Sequence, residues 1–152
     1  MKKVLFAAVA VLVFTGISFA ATPLKLSLWN KVAVPPGDAV YGLEFGIGSY
    51  TPEIKGVALN LLYGKTDDVV GAQFAFVNFS QTFLGFEHGA ANLNSAHISG
   101  VQLGFFNKSK SVKGLQLGVV NMTEDMQGIQ IGIANFIKNS TLPFMVIVNA
   151  KF

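Results

Sequence analysis

From Gly100 onward the chain repeats one phrase three times: GVQLGFFN, then GLQLGVVN from Gly114, then GIQIGIAN from Gly128. The same register runs backwards through GFEHGAAN at Gly85 and GAQFAFVN at Gly71, and more faintly through GVALNLLY at Gly56 and GLEFGIGS at Gly42. These starts are spaced 14 or 15 residues apart. A fixed short period means that one supersecondary unit is used over and over, so the chain has to be read as an array.

Within GLQLGVVN the side chains alternate. Leu115, Leu117 and Val119 point one way, and Gln116, Gly118 and Val120 the other. Alternation with period two predicts strands, not helices. Between units lie short polar segments: TED between Met122 and Met126, SQT between Phe79 and Phe83, and SKS between Lys108 and Val112. Polar tips of this kind predict hairpin turns. A strand from Val112 to Met122 has about the 9–11 residues that cross a bilayer when tilted by ~45°.

The first twenty residues carry a different signature. A basic start at Lys2 and Lys3, an apolar stretch from Val4 to Phe19 and a small-x-small site at Ser18-Phe19-Ala20 predict an export signal over 1–20. That leaves 21–152 as a single β-repeat domain. Without Lys2 and Lys3 the formal charge falls from +3 to +1, and every positive residue is Lys, never Arg. No basic footprint for nucleic acid survives. The chain has no cysteine, which excludes a disulfide framework and a thiolate nucleophile or ligand.

Charged residues make up 12% of the chain, against roughly 25% in ordinary soluble domains. Past residue 20 there is no apolar run long enough for a membrane helix. An exported, charge-poor chain of alternating strands predicts an all-β antiparallel meander of about 8–10 strands, closed as a small outer-membrane barrel with its Leu, Ile, Val and Phe toward lipid. The inner face of such a barrel would carry a polar girdle of Lys25, Glu44, Gln73, Glu87, Gln102, Gln116 and Gln130, crowded by glycine. With the aliphatic face turned inward, the same strands make a small soluble barrel. The other architecture is a parallel β-solenoid, in which Asn78, Asn92, Asn107, Asn121, Asn135 and Asn149 stack as a ladder.

Nothing in the chain assembles a reaction centre. His88 and His97 are the only histidines, and no carboxylate joins them at ligand spacing, so no metal is expected. Asp67-Asp68 and Glu124-Asp125 sit at polar tips, where acidic residues are ordinary turn formers. The tip hydroxyls, among them Ser80, Ser109 and Thr123, have no base at catalytic spacing. Gly-x-Gln-x-Gly is not a strand-to-helix turn and no Lys-Ser/Thr follows it, so phosphate binding is not expected either. The expectation is a non-enzymatic protein with no cofactor.

The opening LKLSLWNKVAVPPGDAVYGLEFGIGSY, the block GVALNLLYGKTDDVVGAQFAFVN, the tandem repeats and the closing LPFMVIVN together resemble the bacterial surface repeat-containing family first named from leptospiral surface proteins. The Gly85 unit departs, with Glu87 and His88 where the pattern has Gln and an aliphatic residue. The resemblance implies an exported surface protein in the outer membrane or at the cell surface, and carries no active-site residues with it. Outer-membrane lipid is the expected partner, in a structural or surface role. A surface binding or adhesion module and a narrow pore lined by the girdle are the alternatives.

Overall fold

The computed structural model describes residues 21–152, and the expected export signal lies outside them. The described residues form strands and turns without helix. The elements are β1 (Thr22–Trp29), β2 (Val32–Val34), β3 (Ala39–Tyr50), β4 (Glu53–Lys65), β5 (Asp68–Phe74), β6 (Val77–Ile137) and β7 (Phe144–Lys151). They form one sheet in the order β2-β1-β3-β4-β5-β6-β7.

Pairing is parallel from β1 through β6, and antiparallel only at the two ends, where β2 lies on β1 and β7 on the last part of β6. The chain is therefore a parallel β-solenoid, and the antiparallel meander closed as a barrel is overturned. Each repeat is one coil stacked on the last, in register: Gly42 on Gly56, Gly56 on Gly71, Gly71 on Gly85.

One coil shows why the polar tips are corners and not hairpins. Val112, Gln116, Asn121, Thr123 and Met126 are all buried. The inward positions are even-numbered up to Gln116, odd at Asn121 and Thr123, and even again at Met126. Alternation along a straight strand cannot change parity, so the chain must turn twice, at Val119-Val120 and at Glu124-Asp125. A run from Val112 to Met122 is thus bent, and it does not make the straight membrane-crossing strand that its length suggested. At such corners the backbone stays extended and keeps its bonds to the coils above and below, which is why β6 runs unbroken for 61 residues.

A third bend lies at the repeat glycine. All seven have φ between +137° and +151°. A Cβ at Gly56, Gly71, Gly85, Gly100, Gly114 or Gly128 would overlap the carbonyl oxygen of the glycine one coil earlier. No other residue combines that backbone with that approach.

Two residues before each glycine sits the apolar part of the interior. Val69, Phe83, Ile98, Val112 and Met126 stack with Ile137 in one cluster, and Val40 and Ile54 extend the column toward the amino end. Apart from Ala39, Ala58 and Ala75, the other buried residues of the interior are polar or glycine.

Candidate functional site

The sequence-predicted girdle is entirely buried, but it is a column and not a ring. Lys25 lies against Glu44, Glu44 against Ala58, Ala58 against Gln73 and Gln73 against Glu87 in successive registers. The line continues through Gln102, Gln116 and Gln130 to Asn149 of β7. A barrel lumen would have set these side chains around a pore. Here they run along the solenoid axis, and from Glu87 to Gln130 they bond to one another through the interior.

Amides suit this position because each has a donor for one neighbouring coil and an acceptor for the other. Gln130 Nε2 donates to Gln116 Oε1, Gln116 Nε2 to Gln102 Oε1 and Gln102 Nε2 to Glu87 Oε2, each at 2.7 Å. A second ladder runs in the opposite sense: Asn78 donates to Asn92, Asn92 to Asn107, Asn107 to Asn121 and Asn121 to Asn135, at 2.7–2.8 Å. The remaining hydrogen of each Asn amide from Asn78 to Asn121 goes to a main-chain carbonyl at His88, Leu103, Leu117 or Ile131. The acceptors left without a protein donor include the ladder ends, Asn78 Oδ1 and Gln130 Oε1, where the run of identical residues stops.

Against the Gln ladder lies a third column, whose hydroxyl residues the sequence placed in polar tips. Ser80, Asn94, Ser109 and Thr123 are buried. Ser109 Oγ donates to Gln102 Oε1 at 3.0 Å, and Asn94 Nδ2 bonds both Ser80 and Glu87. The alternation of inward positions beyond the corner was the signal for them, legible only once the corner itself is known.

Two ionisable clusters interrupt the columns. Lys25 is 1% exposed, and its ammonium donates to the Gly37 carbonyl at 2.7 Å and to Thr51 Oγ1 at 2.8 Å. Thr51 in turn donates to Glu44 Oε2 at 2.6 Å, with Ser27 Oγ on Glu44 Oε1 at 3.3 Å. The two charges are thus joined through a hydroxyl. Burial holds the Lys25 ammonium below its ordinary pKa, against the opposing pull of Glu44. Glu87 has no cation beside it: burial pushes its pKa up to about 7, although Gln102 and Asn94 both donate to it.

The corner carboxylates bridge coils. Asp67 accepts from Tyr50 and Gln81, Asp68 from Thr82, and Asp125 from Lys151. His88 stands on the outer surface with its ring steeply inclined to that of Phe74, centroids 6.2 Å apart, and His97 lies exposed near a corner. Among the described residues no three His, Asp or Glu side chains gather as a metal site would require.

The outside carries the apolar surface. The first, third and fifth residues after each repeat glycine point away from the polar columns, from Leu43, Phe45 and Ile47 to Ile129, Ile131 and Ile133. Leu24, Leu26 and Leu28 of β1 extend this face at one end, and Val148 of β7, opposite Ile131, at the other. Leu61 and Phe105 are 70% exposed and Ile133 is 67% exposed. His88 is the one titratable side chain at these repeat positions. The assignment of aliphatic side chains to the outside therefore survives the change from barrel to solenoid.

Comparison with protein-family models, with curated proteins and with solved structures finds no match to this chain.

Proposed function

We propose that the protein is an exported, non-enzymatic β-solenoid of the bacterial surface, that its apolar outer face is its binding surface, and that this face lies on outer-membrane lipid. The observation that carries this reading is the uncharged face running the length of the coils. Rungs ~4.8 Å apart and about five residues across give it roughly 650 Å². The largest apolar patch on an ordinary monomer is about 300–600 Å², and contiguous patches beyond that mark interaction sites.

The interior gives the face its rigidity. Side-chain ladders from Asn78 to Asn135 and from Glu87 to Gln130 hold the coils of β6 at one spacing, so the outer residues there form a regular surface suited to an extended apolar layer. The exposed corner residues Gln81, Thr82, Glu124 and Asp125 are polar or charged, and the position just before each repeat glycine is mixed, with Lys55, Lys113 and Gln127 but also Val70 and Leu84, so that one side of the solenoid is set to leave water while the corners stay in it. The resemblance to leptospiral-type surface repeat proteins supports the same location.

Vesicle flotation tests this. The wild-type chain is expected to float with phosphatidylcholine vesicles, and Phe105→Glu and Ile133→Glu, both at well-exposed positions, are expected to stay at the bottom of the gradient with unchanged circular dichroism. A wild-type chain that does not float refutes lipid as the partner.

A further inference from the structure

The two ends of the solenoid are finished differently. At the amino end, β2 covers part of the outer edge of β1, and Pro35 and Pro36 follow it immediately. Proline has no amide hydrogen to offer a new strand, so this end is blunted. At the carboxyl end β7 pairs with β6 along one edge only. Its other edge has no partner among the described residues.

The composition of that edge is unusual for one left in water. Between Asn139 and Ala150 there is no charged residue, and Phe144, Met145, Val146, Ile147 and Val148 are consecutive and all exposed. Edge strands are normally protected by a charge, a proline or a covering loop; Pro143 precedes β7 immediately, but no proline lies within the eight residues of the strand, whereas β2 is only three residues long. Lys151 does not serve, since its ammonium is held by Asp125. Asn149 turns inward as the last member of the Gln column, and Val148 continues the outer face. Ile147, opposite Gly132, is left 69% exposed. It also has φ +73°, a backbone that β-branched residues rarely adopt.

We infer that β7 is an assembly edge, and that its occupant is β7 of a second copy of this chain, paired antiparallel about a two-fold axis. The sheet already changes to antiparallel pairing at β7, and a two-fold axis along its free edge makes the next pairing antiparallel as well. A two-fold contact uses one patch twice, and β7 supplies both the unpaired main-chain groups and the apolar side chains that have to be covered. The product is an end-to-end dimer whose two outer faces continue into one. This is independent of what the outer face binds.

Light scattering on the purified chain, without lipid or detergent and over a dilution series, tests it. A dimer is expected, and the Met145→Lys/Ile147→Lys double variant should dissociate at least ~10-fold more readily, because like charges then face each other across the axis. Ile147→Asn, a residue type that accepts positive φ, guards against misfolding and should weaken the dimer too. As the chain has no cysteine, oxidation of Ile147→Cys should give a covalent dimer and Phe105→Cys should not. A chain monomeric at every concentration overturns the inference. So does a dimer that survives the edge variants, or one linked through Phe105→Cys alone, which would place the contact on the outer face.

Discussion

Gln73 and Glu87 face each other in register on adjacent coils, and Gln73 Oε1 has no donor while both Glu87 oxygens already accept bonds, Oε2 from Gln102 on the next coil and Oε1 from Asn94 within its own. The column of amides, donating one way from Gln130, meets at Glu87 a group that can pass on a hydrogen only when protonated. Its raised pKa, about 7, fits that need.

Stability should therefore depend on pH through Glu87. Its folded pKa lies above the ordinary 4.5, so the folded state holds a proton that the unfolded chain releases. The contribution is complete below about pH 4.5, declines as pH rises through 7, and is absent above it, a difference of about 3 kcal/mol. Thermal melts by circular dichroism should show the wild type losing stability between pH 5 and 8. Glu87→Gln, which supplies a permanent N–H donor, should be nearly flat over that range and more stable than wild type at pH 8. A wild type as flat as the variant would show that Glu87 keeps its charge throughout.

The repeat glycines should be intolerant of a single methyl group. Gly100→Ala combines positive φ with overlap on the Gly85 carbonyl and should cost at least about 3 kcal/mol in urea unfolding. Gly37→Ala is the control. There the added Cβ meets only Thr22 Cγ2, at an ordinary 3.7 Å, and the change should lie within about 0.5 kcal/mol. Equal losses at the two positions would contradict the stacked-glycine geometry.

Lys25 and Glu44 should behave as a unit. Lys25→Met leaves the Glu44 carboxylate buried with hydroxyls for company and should destabilise by about 3–5 kcal/mol. The double variant Lys25→Met/Glu44→Gln removes both charges and should recover most of that loss. Additive losses in the double-mutant cycle would mean that the two groups act separately despite the shared Thr51 bond.

Much of this architecture is visible in single residues. Leu115, Leu117 and Val119 alternate with Gln116 and Gly118 in any strand arrangement, so the strand character and the two faces follow from local covalent geometry. The Gln and Asn columns were equally legible as periodic positions. Parallel or antiparallel stacking was not, because a polar TED or SKS segment reverses a hairpin and turns a solenoid corner equally well. Ser80, Ser109 and Thr123 were misplaced for the same reason: whether a residue beyond a corner points in or out depends on where the corner lies.

By itself the sequence determined a repeating all-β chain, with glycine where only glycine fits, amides on one face and aliphatic side chains on the other. Those features rest on interactions within one unit, where the spacing of side chains is set by the backbone. The tertiary structure alone decided that the amides form axial ladders inside a solenoid and not a ring inside a barrel, and that β7 has one edge unpaired among the described residues. Both depend on which coil lies beside which, and the reason one arrangement wins is hydrogen bonding between coils. In-register parallel stacking sets each Asn and Gln against its own kind one coil away, so that a buried amide finds both its donor and its acceptor in the repeat itself.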